Sequence, residues 1–414
     1  MRLSTLDILR CPYCGGRLEL VESLPHDQRG LSLVSGILGC NCCTFPVVSA
    51  IPIMHLEPWA VAAREALEAD RAEEAERILL APGEERLGKR FQELAAIPTS
   101  SYRELVDALG PAFEGGYFLY RFSDPTYVVA RAVIEAVAGT VLSGGGRAID
   151  VCGGSGHLTR SLLGLSTEDP IIADLYFAKL WLARRFMAPT CEPVCCDANE
   201  PLPFARGSFD FAVCSDVFHY IWMKRQLVGE LTRLVEHSGP GAVVISHMHN
   251  QREWSPSFGQ PLPPGGYRDL FETLSPKLFA ESGFLADVIA GGPLDLSRLD
   301  DDATLDADSA LTIVASRHEE VFRAHPIAVP SGADGELRLN PLYASEVDGD
   351  QVRLSLRFPS QEYEDEYGAC RRYLPDQAVM DRDVWDALLR GQWSAEALDL
   401  LRRRVVLDLP ERYY

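Results

Sequence analysis

Three sets of residues in this chain of 414 have the types and the spacing that chemistry requires. The first is a set of cysteines, five of which lie within the first 43 residues. The second is a glycine-rich turn at 153–156 that follows an aspartate, and the third is a set of histidines between 219 and 249. These residue types suit metal binding, close approach of a nucleotide, and proton transfer, respectively.

The N-terminal cysteines form two pairs with the spacing of metal ligands. Cys11 and Cys14 form one CxxC pair, and Cys40 and Cys43 form the second, which leaves Cys42 as a spare thiol. Four thiolates at this spacing suit a tetrahedral zinc ion in a segment too short to build its own core. A disulfide is the alternative, and a reducing cytosol disfavours it. We therefore predict structural Zn²⁺ at the two pairs.

The segment 147–162, RAIDVCGGSGHLTRSL, has the pattern of a buried strand, a glycine turn and the start of a helix. Its apolar run ends at the carboxylate of Asp150. Gly153, Gly154 and Gly156 let the backbone approach a ligand more closely than a Cβ would permit. This pattern predicts a nucleotide-binding turn.

Two more carboxylates follow strand candidates downstream of this turn. The apolar segment IIAD ends at Asp174, and Asp197 follows the candidate strand 192–196. Ligands of parallel α/β sheets bind at the carboxyl ends of the strands, so these side chains are expected at one edge. A phosphate-binding dinucleotide site is the competing interpretation, but the glycine spacing departs from GxGxxG.

The residues Asp150, Cys152, Gly154 and Gly156 resemble the first motif of class I S-adenosylmethionine-dependent methyltransferases, with Cys152 at the position where a glycine is usual. The resemblance implies a Rossmann-like fold, S-adenosylmethionine as cofactor and methyltransferase activity. In that family the carboxylate that ends the second strand holds the ribose hydroxyls, and Asp174 matches it by position.

The same resemblance implies a cofactor site along the predicted rim at 150–156, 174, 196–198, 215–220 and 247–250. Either Tyr120 or Arg121 is expected to hold the methionine carboxylate, and Asp197 suits the adenine amino group. The predicted cofactor-binding residues are Tyr120, Arg121, Asp150, Gly153, Gly154, Gly156, Asp174, Leu175, Asp197, Ala198 and Ser215.

Histidines follow the fourth and fifth strand candidates. His219 lies just after the fourth, and His247 and His249 lie at the end of the fifth. Methyl transfer is an in-line displacement that depends on positioning, plus a base when the acceptor is a hydroxyl, and imidazole titrates near neutral pH. We predict these three residues as catalytic candidates. A hydrogen-bonded structural histidine is the alternative for each.

Residues 3–54 resemble the small zinc-ribbon proteins that partner methyltransferases in translation-related modification. Fusion of such a ribbon to the chain implies a permanent partner. In some ribosomal RNA guanine methyltransferases a ribbon also precedes the enzyme, so the resemblance keeps RNA open as an acceptor. The ribbon carries few basic residues, which favours a structural or substrate-shaping role over contact with RNA.

Composition limits the partners of the protein. A net charge of −21 disfavours nucleic acid, because phosphate binding depends on Lys and Arg, although a local basic patch is still compatible with this balance. No run of about 18 apolar residues occurs, and the first residues lack a signal-peptide pattern, so we expect a cytoplasmic protein without a membrane partner.

The alternation of strand and helix patterns predicts an α/β protein with a Rossmann-like, mostly parallel sheet covered by helices on both faces. Strand candidates are 147–151, 170–174, 192–196, 209–214 and 241–247, with a final pair at 284–289 and 310–315. The predicted units are a zinc ribbon at 1–57, a helical linker at 58–113, a class I methyltransferase domain at 114–320 with a lid insertion at about 250–283, and a small α+β domain at 328–414.

These observations predict an S-adenosylmethionine-dependent methyltransferase that acts on a small-molecule or carrier-bound acceptor, through oxygen or nitrogen. An RNA methyltransferase of the ribosomal RNA type is one alternative. A cofactor-binding scaffold without catalysis is the other.

Overall fold

A computed structural model of the chain describes residues 1–110, 115–236, 239, 241–255, 257–328, 335–390, 392 and 394–414. The predicted boundary between 113 and 114 lies outside the described residues. In the part of the chain that the structure describes, no helix has both the length and the apolar character needed to cross a lipid bilayer.

The N-terminal module is a small antiparallel sheet in the order β1-β3-β4-β5, with β2 paired to β3. Its strands are β1 (Glu19–Leu20), β2 (Asp27–Arg29), β3 (Ser32–Gly39), β4 (Thr44–Val48) and β5 (Ile51–Pro52). Ser49 and Ala50 have φ angles of 48° and 59°, as a two-residue hairpin turn of the primed type requires. The next residues extend the edge of the central sheet, because the Met54 N–H donates to the Cys195 carbonyl at 2.6 Å.

Four helices follow the module: α1 (Pro58–Glu68), α2 (Ala72–Leu80), α3 (Glu85–Ala95) and α4 (Tyr102–Ala108). The helices agree with the predicted periodicity, but this segment is more than a linker. Ala63, Phe91 and Tyr102 are fully buried and belong to the same core cluster as residues of the central sheet. Burial of these apolar side chains stabilises the segment against the sheet.

Two helices lead into the central sheet, α5 (Gly115–Tyr120) and α6 (Pro125–Val141). Asp124 caps α6 as its sequence predicts, since its carboxylate accepts from the Tyr127 N–H at 2.7 Å. Pro125 occupies the first turn, where no hydrogen bond is lost.

The central sheet has seven strands in the order β11-β13-β10-β9-β6-β7-β8. Strands β6 to β10 run parallel to one another, and β13 is antiparallel to both of its neighbours. The strands are β6 (Ala148–Val151), β7 (Ile171–Asp174), β8 (Glu192–Cys195), β9 (Phe211–Ser215), β10 (Ala242–His249), β11 (Pro276–Ala280) and β13 (Ala310–Ser316), and a separate pair is formed by β12 (Leu294–Asp295) and β14 (Ala324–His325).

Helices cover both faces of this sheet, which confirms the predicted fold class. They are α7 (Phe177–Leu182), α8 (Lys224–Leu234), α9 (Pro264–Arg268), α10 (Glu281–Ala290) and α11 (Asp302–Asp306). Side chains of β9 alternate between the two cores: Phe211 and Val213 face the core that contains α6, whereas Ala212 and Cys214 face the core that contains α8. This period of two places each strand between two apolar layers.

One strand prediction is wrong. Residues 284–289 belong to α10, and the strand lies earlier, at β11. Phe284, Leu285 and the partly buried Val288 pack on one core at helical spacing, so the short apolar run belongs to a helix face and not to a strand. The insertion after β10 therefore ends before β11 instead of extending to 283.

The C-terminal part is an α+β unit with its own apolar cluster, as predicted. Its elements are β15 (Glu336–Leu339), β16 (Tyr343–Asp348), β17 (Gln351–Leu356), α12 (Gln361–Tyr367), β18 (Gln377–Asp381), α13 (Arg382–Leu389), α14 (Ala395–Arg402) and β19 (Val406–Leu409). Strands β16, β17 and β18 form one sheet, and β15 pairs with β19 in another.

Short helices of other types complete the structure. Single 3₁₀ turns occupy Leu3–Asp7, Arg121–Ser123, Thr159–Leu162, Phe218–Tyr220, Glu319–Val321 and Gly368–Arg372, and a π turn at Ala183–Met187 continues α7.

Candidate functional site

The carboxyl ends of β6, β7, β8 and β9 open into a cavity of about 560 Å³. Ten of the residues predicted for the site line it, and they come from four strand ends and the segment before α6. They are Arg121, Asp150, Gly153, Gly154, Asp174, Leu175, Asp197, Ala198, Ser215 and His219. The predicted rim at the ends of β6, β7, β8 and β9 therefore contributes to the wall of one cavity, whereas residues 247–250 at the end of β10 do not line it.

Asp174 joins the end of β7 to the glycine turn. One oxygen of its carboxylate accepts from the Gly154 N–H at 3.0 Å, and the other accepts from the Tyr176 N–H at 2.9 Å. Gly154 has a φ of 57°, which glycine adopts without strain. Cys152 has a φ of 61° in the same turn, so the thiol occupies a backbone position that favours glycine.

Asp150 is buried beneath this turn. Its carboxylate accepts from the Thr159 hydroxyl at 2.6 Å, which connects the end of β6 to the start of the next helical turn. Burial raises the pKa of Asp150 to about 7, although the Thr159 hydrogen bond acts in the opposite direction. A Cβ on Gly153 would lie 2.8 Å from a carboxylate oxygen of Asp150, so the turn has no room for a side chain there.

Two predicted cofactor residues, both within the described ranges, lie away from the cavity wall. A Cβ on Gly156 would lie 2.9 Å from the Cβ of Ala183, so this glycine serves the packing of the turn against the segment after α7. The ring of Tyr120 packs against Tyr363 of the C-terminal unit, with centroids 5.4 Å apart. The ring of Tyr120 therefore packs in an aromatic interface and does not line the cavity.

Arg121 lines the cavity, but its charge is balanced by two carboxylates. The buried guanidinium lies 2.9 Å from Asp216 and 3.2 Å from Asp124. The Tyr117 hydroxyl donates to the same Asp216 oxygen that accepts from Arg121. The guanidinium is thus held in position by two carboxylates of the protein.

The three predicted histidines lie together at one side of the cavity. His219 lines the wall, and the ring of His249 stacks on it with centroids 4.0 Å apart. The ring of His247 lies perpendicular to that of His249 at 5.2 Å. The Nδ1 of His219 is buried and has no hydrogen-bond partner among the described residues.

Carboxylates surround the two histidines behind His219. The Nδ1–H of His247 donates to Glu281 at 2.8 Å, and the Nε2 of His249 lies 3.3 Å from Glu366. Burial would lower the pKa of His247, but Glu281 and Asp216 outweigh burial and raise the pKa to about 9. Burial, together with His249, lowers the pKa of His219 to about 3.

Two residues of this region, Asp216 and Glu366, were given no role from the sequence. Asp216 lies on the predicted rim, directly after β9, as Asp174 ends β7, and this position after a strand is a usable signal. Glu366 belongs to α12, and its neighbour Tyr367 lines the cavity. No motif or spacing in the sequence singles out Glu366.

The insertion after β10 contacts the cavity mouth. Ser257 lines the wall, and the Gln260 N–H donates to the His219 carbonyl at 2.8 Å. Trp222, which lines the cavity, is 71% exposed, and Phe258, which follows Ser257 in the chain, is 88% exposed. The part of the predicted lid that precedes β11 thus lies beside the histidines.

The N-terminal thiols form a cluster with a different fourth member from the one predicted. The Sγ atoms of Cys11, Cys14, Cys40 and Cys42 all lie within 4.8 Å of one another. Cys42 replaces Cys43 because the chain turns after Cys40 and brings the Cys42 Sγ to 3.6 Å from the Cys11 Sγ. Such a group of four thiols could hold a metal ion.

Comparisons with known proteins agree with this geometry. Residues 148–239 match the family described as "Methyltransferase domain". A search of curated proteins found no match.

Solved structures with low sequence identity are similar to part of this chain. A geranyl diphosphate C-methyltransferase from Streptomyces coelicolor has 14% identity over 44% of this chain and 76% of its own, with a TM-score of 0.32. The YcgJ protein from Bacillus subtilis has 16% identity over 46% of this chain and 99% of its own, with a TM-score of 0.30. The segment that matches this family contains the glycine turn and strands β6 to β9.

Proposed function

We propose that this protein is an S-adenosylmethionine-dependent methyltransferase with a small-molecule or carrier-bound acceptor. The observation that carries the proposal is the convergence of the glycine turn with Asp150, Asp174 and Asp197 on one cavity at the carboxyl edge of the sheet. Ligands of such sheets bind at this edge. The family match to residues 148–239 supports the same activity.

Each carboxylate can recognise a different part of the cofactor. Asp174 already accepts two backbone N–H groups, but each of its oxygens has a second lone pair for a ribose hydroxyl. Asp197 accepts from the Asn199 N–H at 2.8 Å, and with Ala198 it would border the adenine. Ser215 lies at the end of β9, on the side of the cavity where the methionine part would lie.

The charges of the cavity favour a small acceptor over RNA. Among the described residues that line it, four are carboxylates and two, Arg121 and Lys179, are cations. Arg121 is already paired with two carboxylates. A phosphate backbone would meet net repulsion there, whereas the aromatic mouth formed by Tyr220 and Trp222 suits an apolar acceptor.

Positioning of the acceptor supplies most of the catalysis in this proposal. The sulfonium carries the methyl group, and the protein must place an oxygen or nitrogen lone pair in line with it. Of the three predicted histidines, His219 lines the cavity, so we assign to it the contact with the acceptor. His247 and His249 lie behind it, and the ring of His249 stacks on the ring of His219.

We also propose a structural Zn²⁺ ion at Cys11, Cys14, Cys40 and Cys42. The backbone N–H groups of Cys42 and Cys43 lie 3.5 Å and 3.4 Å from the Cys40 Sγ, an arrangement that stabilises a thiolate. The four thiols supply the tetrahedral ligand set that zinc prefers. The ion would hold together the module that extends the sheet edge at β8.

Calorimetric titration with S-adenosylmethionine and S-adenosylhomocysteine tests the cofactor site. We expect micromolar binding by the wild type and about tenfold weaker binding by Asp174→Asn, the scale of one charge-assisted hydrogen bond. Asp169→Asn is the control, because Asp169 pairs with Arg2 before β7 and is remote from the cavity edge. Absence of binding by correctly folded protein would overturn the proposal.

A further inference from the structure

The geometry points to a second metal site, for a first-row transition-metal dication, at Asp216, His247 and His249. A carboxylate oxygen of Asp216 and one ring nitrogen from each histidine all lie within 4.8 Å of one another. Asp216 directly follows β9, and both histidines belong to the end of β10, so two adjacent parallel strands supply the three candidate ligands. The group is separate from the thiol cluster.

In each candidate ligand, the atom that faces away from the cluster, here called the outer atom, has a hydrogen-bond partner in the protein. Asp216 uses one oxygen to accept from Arg121 at 2.9 Å, and the Tyr117 hydroxyl donates to that same oxygen. Its other oxygen faces the Nε2 of His247 at 3.8 Å. This arrangement leaves the inner oxygen of Asp216 directed at the cluster.

The two histidines are held in the same way. Glu281 binds the Nδ1 of His247 at 2.8 Å and also accepts from the His247 N–H and from Thr312. Ser255 lies 3.0 Å from the Nδ1 of His249. A carboxylate or hydroxyl on the outer nitrogen of a histidine orients the other nitrogen toward a metal, and such partners are typical of metal sites.

The backbone at the cluster is strained at two of the three positions. Asp216 has a φ of 56° and His247 has a φ of 52°, although neither is glycine. The pairing of β10 with β13 also shifts between Ile245 and Met248, which makes a bulge at His247. Strained backbone and bulges concentrate at functional sites, where they direct a side chain.

The surroundings also favour a bound cation. His219 is 3% exposed, its Nδ1 finds no hydrogen-bond partner in the described part of the chain, and its ring stacks on His249. Glu366 lies 3.3 Å from the Nε2 of His249 with only 11% of its side chain exposed. A dication beside His249 would offset the charge of this carboxylate, which also accepts from the Ser257 hydroxyl at 3.0 Å.

The ligand types select the class of ion. Two imidazoles and a carboxylate suit Zn²⁺, Fe²⁺, Mn²⁺ or Co²⁺, whereas Mg²⁺ and Ca²⁺ prefer oxygen ligands alone. Asp216 and His219 line the cavity, so the ion would lie at its wall. If the proposed methyltransferase function holds, the acceptor would be a molecule whose oxygen atom can bind the ion and lose its proton more readily there.

Metal content measured after removal of all ions and reloading with Co²⁺ tests this site. We expect about two ions per chain in the wild type, one at the thiols and one at the imidazoles, and about one in His247→Gln and in His249→Gln. Thiolate-bound Co²⁺ shows sulfur-to-metal charge-transfer bands that an imidazole–carboxylate site lacks. The spectrum therefore shows which ion is lost. His26→Gln, at an exposed position, is the control.

Ser255→Ala keeps all three candidate ligands and removes only the outer partner of His249. We expect it to weaken binding of the second ion about tenfold or more, as loss of such partners does. One ion per chain in the wild type, held entirely by thiols, would overturn the metal site. Titration with S-adenosylhomocysteine after metal removal separates the two proposals, because cofactor binding tests the methyltransferase and the Co²⁺ content tests the metal site.

Discussion

The Nε2 of His157 lies 2.9 Å from the hydroxyl oxygen of Tyr413, and 256 positions separate the two residues along the chain. Tyr413 in turn donates to the Phe118 carbonyl at 2.7 Å. On the other side of the ring, the Nδ1 of His157 lies 3.5 Å from the Ser155 hydroxyl, within the glycine turn. The segment after β19 is therefore hydrogen-bonded to the turn and to the wall of the cavity.

Removal of the Tyr413 hydroxyl should weaken both stability and cofactor binding. Tyr413→Phe leaves the His157 N–H and the Phe118 carbonyl without their buried partner, so we expect a loss of about 1–3 kcal/mol in the free energy of unfolding. Phe118 and His157 both line the cavity, so the affinity for S-adenosylhomocysteine should also fall. Urea unfolding and calorimetry measure the two effects.

Tyr343→Phe is the matched control for this change. The Tyr343 hydroxyl donates to the Pro375 carbonyl at 2.7 Å within the C-terminal unit, away from the glycine turn. We expect it to reduce stability and leave the cofactor affinity unchanged. Equal affinity in Tyr413→Phe and the wild type would show that the hydrogen bonds of Tyr413 do not support the cofactor site.

The burial of His157 predicts a loss of stability in acid. Burial, followed by the charge of Arg121, lowers the pKa of His157 to about 3, compared with about 6.5 in an unfolded chain. Below pH 6.5 the unfolded chain therefore binds a proton that the folded protein does not, and the free energy of unfolding falls by up to about 1.4 kcal/mol per pH unit from this residue alone.

Urea unfolding between pH 7 and pH 5 measures this effect. In His157→Gln the slope of stability against pH should be shallower by about one proton, whereas His26→Gln at an exposed position should follow the wild type. Both variants keep the N-terminal thiols, so acid loss of zinc affects them equally. Parallel slopes for all three proteins would contradict a neutral, buried His157.

The thiol cluster predicts different outcomes for two adjacent cysteines. Cys42→Ser removes one of the four clustered Sγ atoms, so zinc content should fall well below about one ion per chain. Cys43→Ser should retain the ion, because its Sγ is outside that group and it contacts Cys40 through its backbone N–H and carbonyl, which the substitution keeps. Elemental analysis of the two dialysed variants measures their zinc content. Loss of zinc in Cys43→Ser but not in Cys42→Ser would instead support the predicted CxxC pair Cys40–Cys43.

The backbone at Cys152 predicts an unusual order of stability. Cys152→Gly and Cys152→Ala both remove the thiol, but only glycine accepts a φ of 61° without strain. The glycine variant should be more stable than the alanine variant by about 1–2 kcal/mol. Thermal or urea unfolding of the pair isolates the backbone effect from the loss of the side chain.

The same pair of substitutions at Cys214 is the control. Cys214 lies inside β9, where glycine should be less stable than alanine by about 0.5–1 kcal/mol. The order of stability is therefore expected to reverse between the two positions. The same order at both would show that Cys152 carries no backbone strain.

Local patterns explain why much of the sheet and its edge can be predicted from the sequence. Each of β6, β7, β8 and β9 is a short apolar run between two packed layers of helices, and such runs are visible in the sequence. A carboxylate that ends or follows a parallel strand must lie near its neighbours, because strand ends meet at one edge. For this reason Asp150, Asp174 and Asp197 were predictable as a group.

The structure differs from the predictions where one sequence pattern suits two structures or where the course of a single turn matters. The run at 284–289 is apolar in a way that suits either a strand or a helix face, and packing on α6 selects the helix. The choice between Cys42 and Cys43 depends on the course of the chain after Cys40, which spacing does not specify. In both cases three-dimensional contacts distinguish alternatives that have equal support in the sequence.

The amino-acid sequence established the class of fold, the glycine turn and the carboxylates at the strand ends, because these features depend on neighbours a few residues apart. Only the tertiary structure brings Asp216, His247, Glu281 and Glu366 into one buried cluster and joins Tyr413 to His157. Those residues come from β9, β10, α10, α12 and the segment after β19. Contacts between such distant segments arise from packing of the whole chain, and no local periodicity or spacing in the sequence predicts them.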